Sequence, residues 1–304
     1  MHPSLNNMLD AADTVILGKT RQIRIATCCL LARGHLLIED IPGVGKTTLA
    51  HTLAHLLGLQ YQRIQFTSDL LPGDILGASI FDSTTHSFRF QPGPIFHQMI
   101  LADEINRSTP KAQSALLEAM EEHQVTVDGE TRLLPDPFFV IATQNPHTQI
   151  GTFPLPESQL DRFLMCIELG YPDSQSERAL LKGEERQNVL EKLPAFLSTD
   201  ELRSIQAEIK QIHVAEPLLD YIQALLRHTR ESADYVHGLS PRAGLALLSA
   251  ARGWAYLENR QMVLPEDVQE VLPAVAAHRL RPSQSSADSA ERVVAPLLEQ
   301  VGIP

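Results

Sequence analysis

Residues 40 to 48 read Asp40-Ile41-Pro42-Gly43-Val44-Gly45-Lys46-Thr47-Thr48, and their setting decides the fold. A short apolar run, HLLIED, precedes them, and KTTLAHTLAHLL, with helical spacing, follows until Gly58. A buried strand thus feeds a glycine-rich turn that opens a helix. Gly43 and Gly45 let the backbone turn its N–H groups toward an anion. The helix N-terminus adds a favourable field, and Lys46 adds a point charge. Thr47 carries a hydroxyl of the kind that binds magnesium. Gly43, Val44, Gly45, Lys46, Thr47 and Thr48 are therefore the candidate phosphate-binding residues. The strict form of this motif begins with glycine, where this chain has Asp40, so the departure lies at the base of the loop.

Working outward, residues 19–33 have the apolar face of a helix that Gly34 is placed to end. Further short strands are expected in YQRIQF (61–66), HQMILADEI (97–105), FFVIAT (138–143) and FLMCIEL (163–169). A helix is expected over 110–124, with Pro110 at its start. Short apolar strands separated by helices predict a five-stranded, mainly parallel sheet covered on both faces. Two stretches are insertions on that plan. Residues 72–94 hold two short strands, ASIFD and SFRFQ, and 124–134 alternates about Asp128-Gly129 as a hairpin. After Tyr171-Pro172 strand patterns cease, and five amphipathic stretches follow, with Pro217, Pro241 and Pro265 near helix starts and Ser240 as an N-cap. The expected division is an α/β core over 1–175 and a helical domain over 176–304, with the boundary within 172–195; PSQSS at 282–286 reads as a loop before the last helix.

The 304 residues carry 25 Lys and Arg against 37 Asp and Glu, a net charge of −12. That balance disfavours nucleic acid as a bulk electrostatic partner. Cys28, Cys29 and Cys166 cannot make a disulfide framework, which fits a reducing, cytoplasmic setting. No apolar run reaches the roughly 18 residues of a membrane span, and the polar N-terminus does not read as a leader. His51 and His55 lie four apart on one helix without a third ligand, so a zinc site is not expected.

A second chemical element is Met99-Ile100-Leu101-Ala102-Asp103-Glu104, an apolar strand that ends in two carboxylates. Ligands of such sheets sit beyond the carboxyl ends of the strands, beside the phosphate loop. Asp103 can hold magnesium and Glu104 can polarise an attacking water. The next strand ends in Ala142-Thr143-Gln144-Asn145-Pro146, where the Asn145 amide can orient that water or touch the terminal phosphate; a plain turn before proline is the competing reading.

Together these pieces resemble the AAA+ ATPases and, among them, the MoxR group. The resemblance rests on the phosphate loop, LADEINRSTPKAQSALLEAMEE (101–122), ATQNP, FPLPESQLDRFL and GLSPRA, and covers nearly the whole chain. Magnesium-chelatase-type motor subunits are similar relatives. The resemblance implies an AAA+ core with an insertion in its second helix and a hairpin before the first sensor, followed by a helical lid. It implies Lys46 and Thr47 for the first nucleotide motif, Asp103 and Glu104 for the second, and Asn145 for the first sensor. Arg162 matches the arginine finger that reaches a neighbour's nucleotide, and Arg242 the second sensor on a lid that closes over nucleotide. The segment Val15 to Gly18 resembles the one that passes the adenine ring. The implied cofactors are ATP/ADP and Mg2+, in a ring of six subunits. The implied partners are a protein client and a protein with a von Willebrand factor A domain.

Competing readings of single residues are a local ion pair from Arg162 to Asp161 or Glu157, and a surface role for Arg242; Arg107, just after the acid pair, is a further residue able to face a neighbour's nucleotide. Two functional classes fit the same motifs: a remodelling ATPase driven by turnover, and a nucleotide-gated assembly module in which the ATP-bound state acts. Neither charge nor motif favours a third, a DNA-associated AAA+ protein.

Overall fold

Alternating side chains on five short strands build one parallel sheet, and the computed structural model describes residues 2–84, 86–145, 153–183, 186–283 and 289–303 around it. The strands are β1 (Leu36–Glu39), β2 (Tyr61–Gln65), β3 (Gly77–Asp82), β4 (Ser87–Pro92), β5 (Met99–Asp103), β6 (Gln124–Val127), β7 (Glu130–Leu133), β8 (Phe139–Gln144) and β9 (Met165–Ile167). The sheet order is β2-β5-β8-β1-β9, all parallel. The strands before the phosphate loop and before the acid pair are thus separated by β8 alone, and all three end on one edge. β3–β4 and β6–β7 are separate antiparallel hairpins. The β6–β7 turn uses Asp128 and Gly129, both at positive φ (52° and 80°), as a two-residue turn requires.

Thirteen helices are described: α1 (Pro3–Val15), α2 (Thr20–Leu31), α3 (Lys46–Leu56), α4 (Pro72–Leu76), α5 (Pro110–Glu122), α6 (Glu157–Leu160), α7 (Ser174–Lys182), α8 (Arg186–Glu191), α9 (Thr199–Lys210), α10 (Glu216–Glu231), α11 (Pro241–Leu257), α12 (Pro265–Ala276) and α13 (Ala290–Gln300). Leu36 and Ile38 face a core shared with α1, α2, α3 and the C-terminal helices, while Leu37 faces a second core under α5. Ser240 caps α11 by accepting from the Ala243 N–H at 3.1 Å. Among the described residues no helix is long and apolar enough to cross a membrane. Pro146, and residues 284–286 of the expected loop, lie outside the described residues.

Two expectations change. Arg33, not Gly34, takes the left-handed conformation that ends α2. Gly34 is needed for space, because a Cβ there would lie 2.2 Å from Leu164 Cδ2. The second concerns the lid. α11 runs antiparallel along α2: Arg24 pairs with Glu258, the Cys28 thiol contacts the Ala250 carbonyl at 3.3 Å, and Ser249 donates to the Ala32 carbonyl. Gly253 permits the approach, since a Cβ there would already stand 3.0 Å from Cys28 Sγ. The start of α11, with Arg242, therefore lies beyond the C-terminus of α2. That is the edge where β1 begins, not the edge where the phosphate loop leaves it.

Candidate active site

Gly43 and Gly45 sit at φ +88° and +97°. No atom lies within 4 Å of a Cβ built on either, so backbone conformation and not crowding requires glycine here. Gly45 caps α3 and Lys46 is its first residue. The Lys46 side chain is buried, and its ammonium donates to the Asp40 carbonyl and to Asn145 Oδ1 at 3.3 Å. Burial lowers its pKa, against the opposing pull of Asp40, Asp103, Glu104 and Glu39. Thr47 is exposed beside it, with Val44 and Thr48 half-buried.

Asp40 explains the departure from the strict motif. Its φ is not positive, so glycine has no conformational advantage there. Its Oδ2 accepts from the Leu169 and Gly170 N–H groups, both at 2.6 Å, and Oδ1 from the Ile41 N–H. The carboxylate thereby ties the base of the phosphate loop to the chain that leaves β9.

The two acids have different partners. Asp103 Oδ1 accepts from the Thr143 hydroxyl at 2.6 Å, and Oδ2 from Arg63 Nη2 at 2.5 Å. Glu104 leaves the strand at φ +56°, a conformation rare for a residue with a side chain and common at functional sites. Its N–H donates to Thr143 Oγ1 at 2.8 Å. Glu104 Oε1 accepts from Asn145 Nδ2 at 3.2 Å, and Oε2 from Gln65 and Arg107 at 3.1 and 2.9 Å. Asn145 thus bridges Lys46 and Glu104. Arg107 belongs to this cluster through its pair with Glu104. Glycine-rich N–H groups, an ammonium, a carboxylate with a neighbouring hydroxyl and a held glutamate form a set able to bind a nucleoside triphosphate and hydrolyse it.

Arg162 and Arg242 are not in this cluster. Arg162 precedes β9, whose first residue, Met165, pairs with Leu36, the first residue of β1. From Leu36 to Asp40 the strand alone runs about 13 Å, at about 3.3 Å per residue. Arg162 accordingly lies at the opposite edge of the sheet from the phosphate loop. There it pairs with Glu121 at 2.9 Å, and Arg242 pairs with the same carboxylate. Asp161 is taken by Arg279, at 2.7 Å.

Thr143, Arg63 and Gln65 escaped the reading of the sequence. The available signal was their place on strands flanking β5: in the pairing register Gln65 stands beside Asp103, and Thr143 follows the partner of Ala102. His51 and His55 turn to different partners, the Tyr61 ring and the Leu193 carbonyl. Gly18, at φ +69°, packs against Asp173 and Ser176 at the start of α7.

Known proteins share the fold and much of the sequence of this chain. The model of the ATPase family associated with various cellular activities (AAA) matches residues 35–165, and that of the AAA lid domain matches 227–297. The chain is 42% identical to YeaC of Bacillus subtilis, covering 100% of this chain and 96% of that protein. It is 39% identical to Chaperone MoxR1 of Mycobacterium tuberculosis, covering 95% and 80%. It is 32% identical to MoxR of Paracoccus denitrificans, covering 98% and 94%. A crystal structure of a Cytophaga hutchinsonii protein, described as a candidate ATPase, superposes with a TM-score of 0.90 at 37% identity, covering 99% of this chain and 95% of that one. A parallel sheet in the order described, a phosphate loop and acid pair on one edge, a helical lid and relatives of nearly full length lead to one conclusion: this chain belongs to the MoxR-type AAA+ ATPases.

Proposed function

We propose that this chain hydrolyses ATP with Mg2+ at a site shared between neighbouring subunits of a ring, most simply of six, and uses the cycle for chaperone-like remodelling or activation of a protein client. The observation that carries the reading is the separation of Arg162 from Lys46 by the length of the sheet. An arginine so placed cannot serve its own nucleotide, and a neighbouring copy brings it to one.

Within a subunit, Gly43, Val44, Gly45, Lys46, Thr47 and Thr48 bind the triphosphate. Thr47 and Asp103 are the residues that would hold Mg2+, which would supply neutralising charge to the phosphates. Glu104, oriented by Asn145, polarises the attacking water, and Arg162 with Arg242 from the neighbour stabilises charge on the terminal phosphate; arginine fingers in other nucleotide hydrolases contribute roughly 10³ to 10⁵ in rate. The core is assigned to 1–175 and the lid to 176–304.

The chaperone-like role is supported by the name of the mycobacterial relative, Chaperone MoxR1. Client contact is assigned to the two hairpins. Ile80, Phe81, Phe88 and Leu133 are exposed there, and Arg132 joins the hairpins by lying 3.9 Å over the Phe90 ring. A protein with a von Willebrand factor A domain is the proposed partner and the cytoplasm the proposed location. The test is ATP hydrolysis by the purified chain over a wide dilution range. The rate per subunit is expected to rise with concentration, Lys46→Ala to lose ATP binding, and Glu104→Gln to bind without turnover. A flat rate per subunit, or full activity in Glu104→Gln, would overturn the reading.

A further inference from the structure

Two charges, one on each of two helices, stand where helix electrostatics disfavour them. Glu121 lies in the last turn of α5, where the dipole favours a cation, and Arg242 lies in the first turn of α11, where it favours an anion. Both mismatches are relieved by one contact, because Glu121 Oε1 accepts from Arg242 Nη2. The other oxygen, Oε2, pairs with Arg162 Nη2 at 2.9 Å. One carboxylate therefore gathers an arginine from the core and one from the lid. Two like charges would otherwise repel at this separation.

None of the three is sealed away: the side chains of Glu121, Arg162 and Arg242 are 32%, 28% and 50% exposed. Each guanidinium has five N–H donors, and the contacts with Glu121 leave donors on both free for an outside anion. The group as a whole carries one net positive charge.

We infer that Glu121 is a positioning residue that holds Arg162 and Arg242 side by side as one anion-binding unit for the neighbouring subunit's terminal phosphate. This rests on the function proposed above. Glu121 touches no nucleotide itself. It sets the spacing of the two guanidiniums and links the start of the lid helix to the core, so that the arginines move together.

The experiment compares Glu121→Gln, Arg162→Ala, Arg242→Ala and the double variant Glu121→Gln/Arg162→Ala in the full chain, at saturating protein and varied ATP. Exposed ion pairs contribute little to stability, so Glu121→Gln is expected to fold. Binding of a fluorescent ATP analogue, which reads the distant phosphate loop, verifies that. The expected result is a kcat for Glu121→Gln lower by roughly tenfold to a hundredfold, as small displacements of reacting groups produce. KM for ATP should be unchanged, and in the double variant the Glu121→Gln change should cost less than it does alone, because only Arg242 is left for it to displace. A Glu121→Gln kcat within twofold of the parent, or a double variant that loses both factors in full, overturns the inference. If the two arginine variants themselves turn over normally, the shared-site reading fails and takes the inference with it. If they are slow and Glu121→Gln is not, the inference alone fails.

Discussion

Replacing Thr143 by valine removes one oxygen and leaves the shape of the side chain almost intact. That oxygen is wholly buried, donates to Asp103 Oδ1 at 2.6 Å and accepts from the Glu104 N–H at 2.8 Å. In the valine variant the Glu104 N–H loses its acceptor, and an orphaned buried donor costs about 1–3 kcal/mol. Asp103 keeps Arg63 and loses its second donor. The total, about 2–4 kcal/mol, is a large share of the roughly 5–15 kcal/mol that holds a domain folded. The effect on chemistry is separate. Glu104 is held at φ +56°, a conformation that persists only when its surroundings enforce it. Without the Thr143 contact it can relax toward an extended conformation and withdraw its carboxylate from Asn145. Turnover is expected to fall by roughly 10²-fold, as for a misplaced reacting group. Thr143→Ser keeps the hydroxyl and deletes a methyl, costing about 0.8 kcal/mol and little turnover. Urea unfolding and steady-state ATP hydrolysis of both variants provide the assay. Parent-like kcat in Thr143→Val, or equal damage in Thr143→Ser, would refute the argument that the hydroxyl organises the acid pair.

Other consequences follow from contacts elsewhere in the fold. The buried His35 ring accepts from the Val140 N–H and faces the Met120 carbonyl, and burial pushes its pKa from 6.5 down to about 4. Between those values the unfolded chain binds the extra proton. Stability is therefore full above pH 6.5 and should fall by about 3 kcal/mol as pH drops toward 4, read as a falling urea midpoint. Burial depresses His278 in the same direction. A midpoint unchanged from pH 7 to 5 would count against both. Asp40→Ala orphans the Leu169 and Gly170 N–H groups and is expected to lose about 2–4 kcal/mol. Asp40→Gly, which restores the strict motif, should be no more stable, and chemical denaturation of the two variants checks this. Gly34→Ala drives a Cβ against Leu164 and should destabilise by about 1–3 kcal/mol despite an ordinary φ, which a thermal melt would register.

Much of the site was legible because its chemistry is contiguous in the chain. Gly43 to Thr48 and Asp103-Glu104 each form one short run after an apolar strand, and the β6–β7 hairpin announces itself by Asp128-Gly129. What stayed hidden depends on contacts between distant segments. Arg63, Gln65 and Thr143 reach the acids only because β2 and β8 flank β5 in one register. The place of Arg242 follows from how α11 lies along α2, through Gly253 and Cys28. Asp161 finds Arg279, which is 118 residues away in sequence. The helix α1 is hidden in the sequence because polar residues interrupt its apolar ones throughout. The spacing of Leu5, Met8, Leu9, Ala12 and Val15, all buried, nonetheless carries the helical period.

The central claim is that the arginines of one subunit complete the site of the next. Mixing two inactive variants tests it most directly. Glu104→Gln lacks the water-polarising group but keeps Arg162, while Arg162→Ala keeps the acid pair but lacks the arginine. If the site is shared, an equimolar mixture assembles interfaces in which an intact acid pair meets an intact arginine, and ATP hydrolysis returns to a substantial fraction of the parent rate. If Arg162 acts within its own chain, every subunit in the mixture remains defective, and the mixture is as inactive as either variant alone.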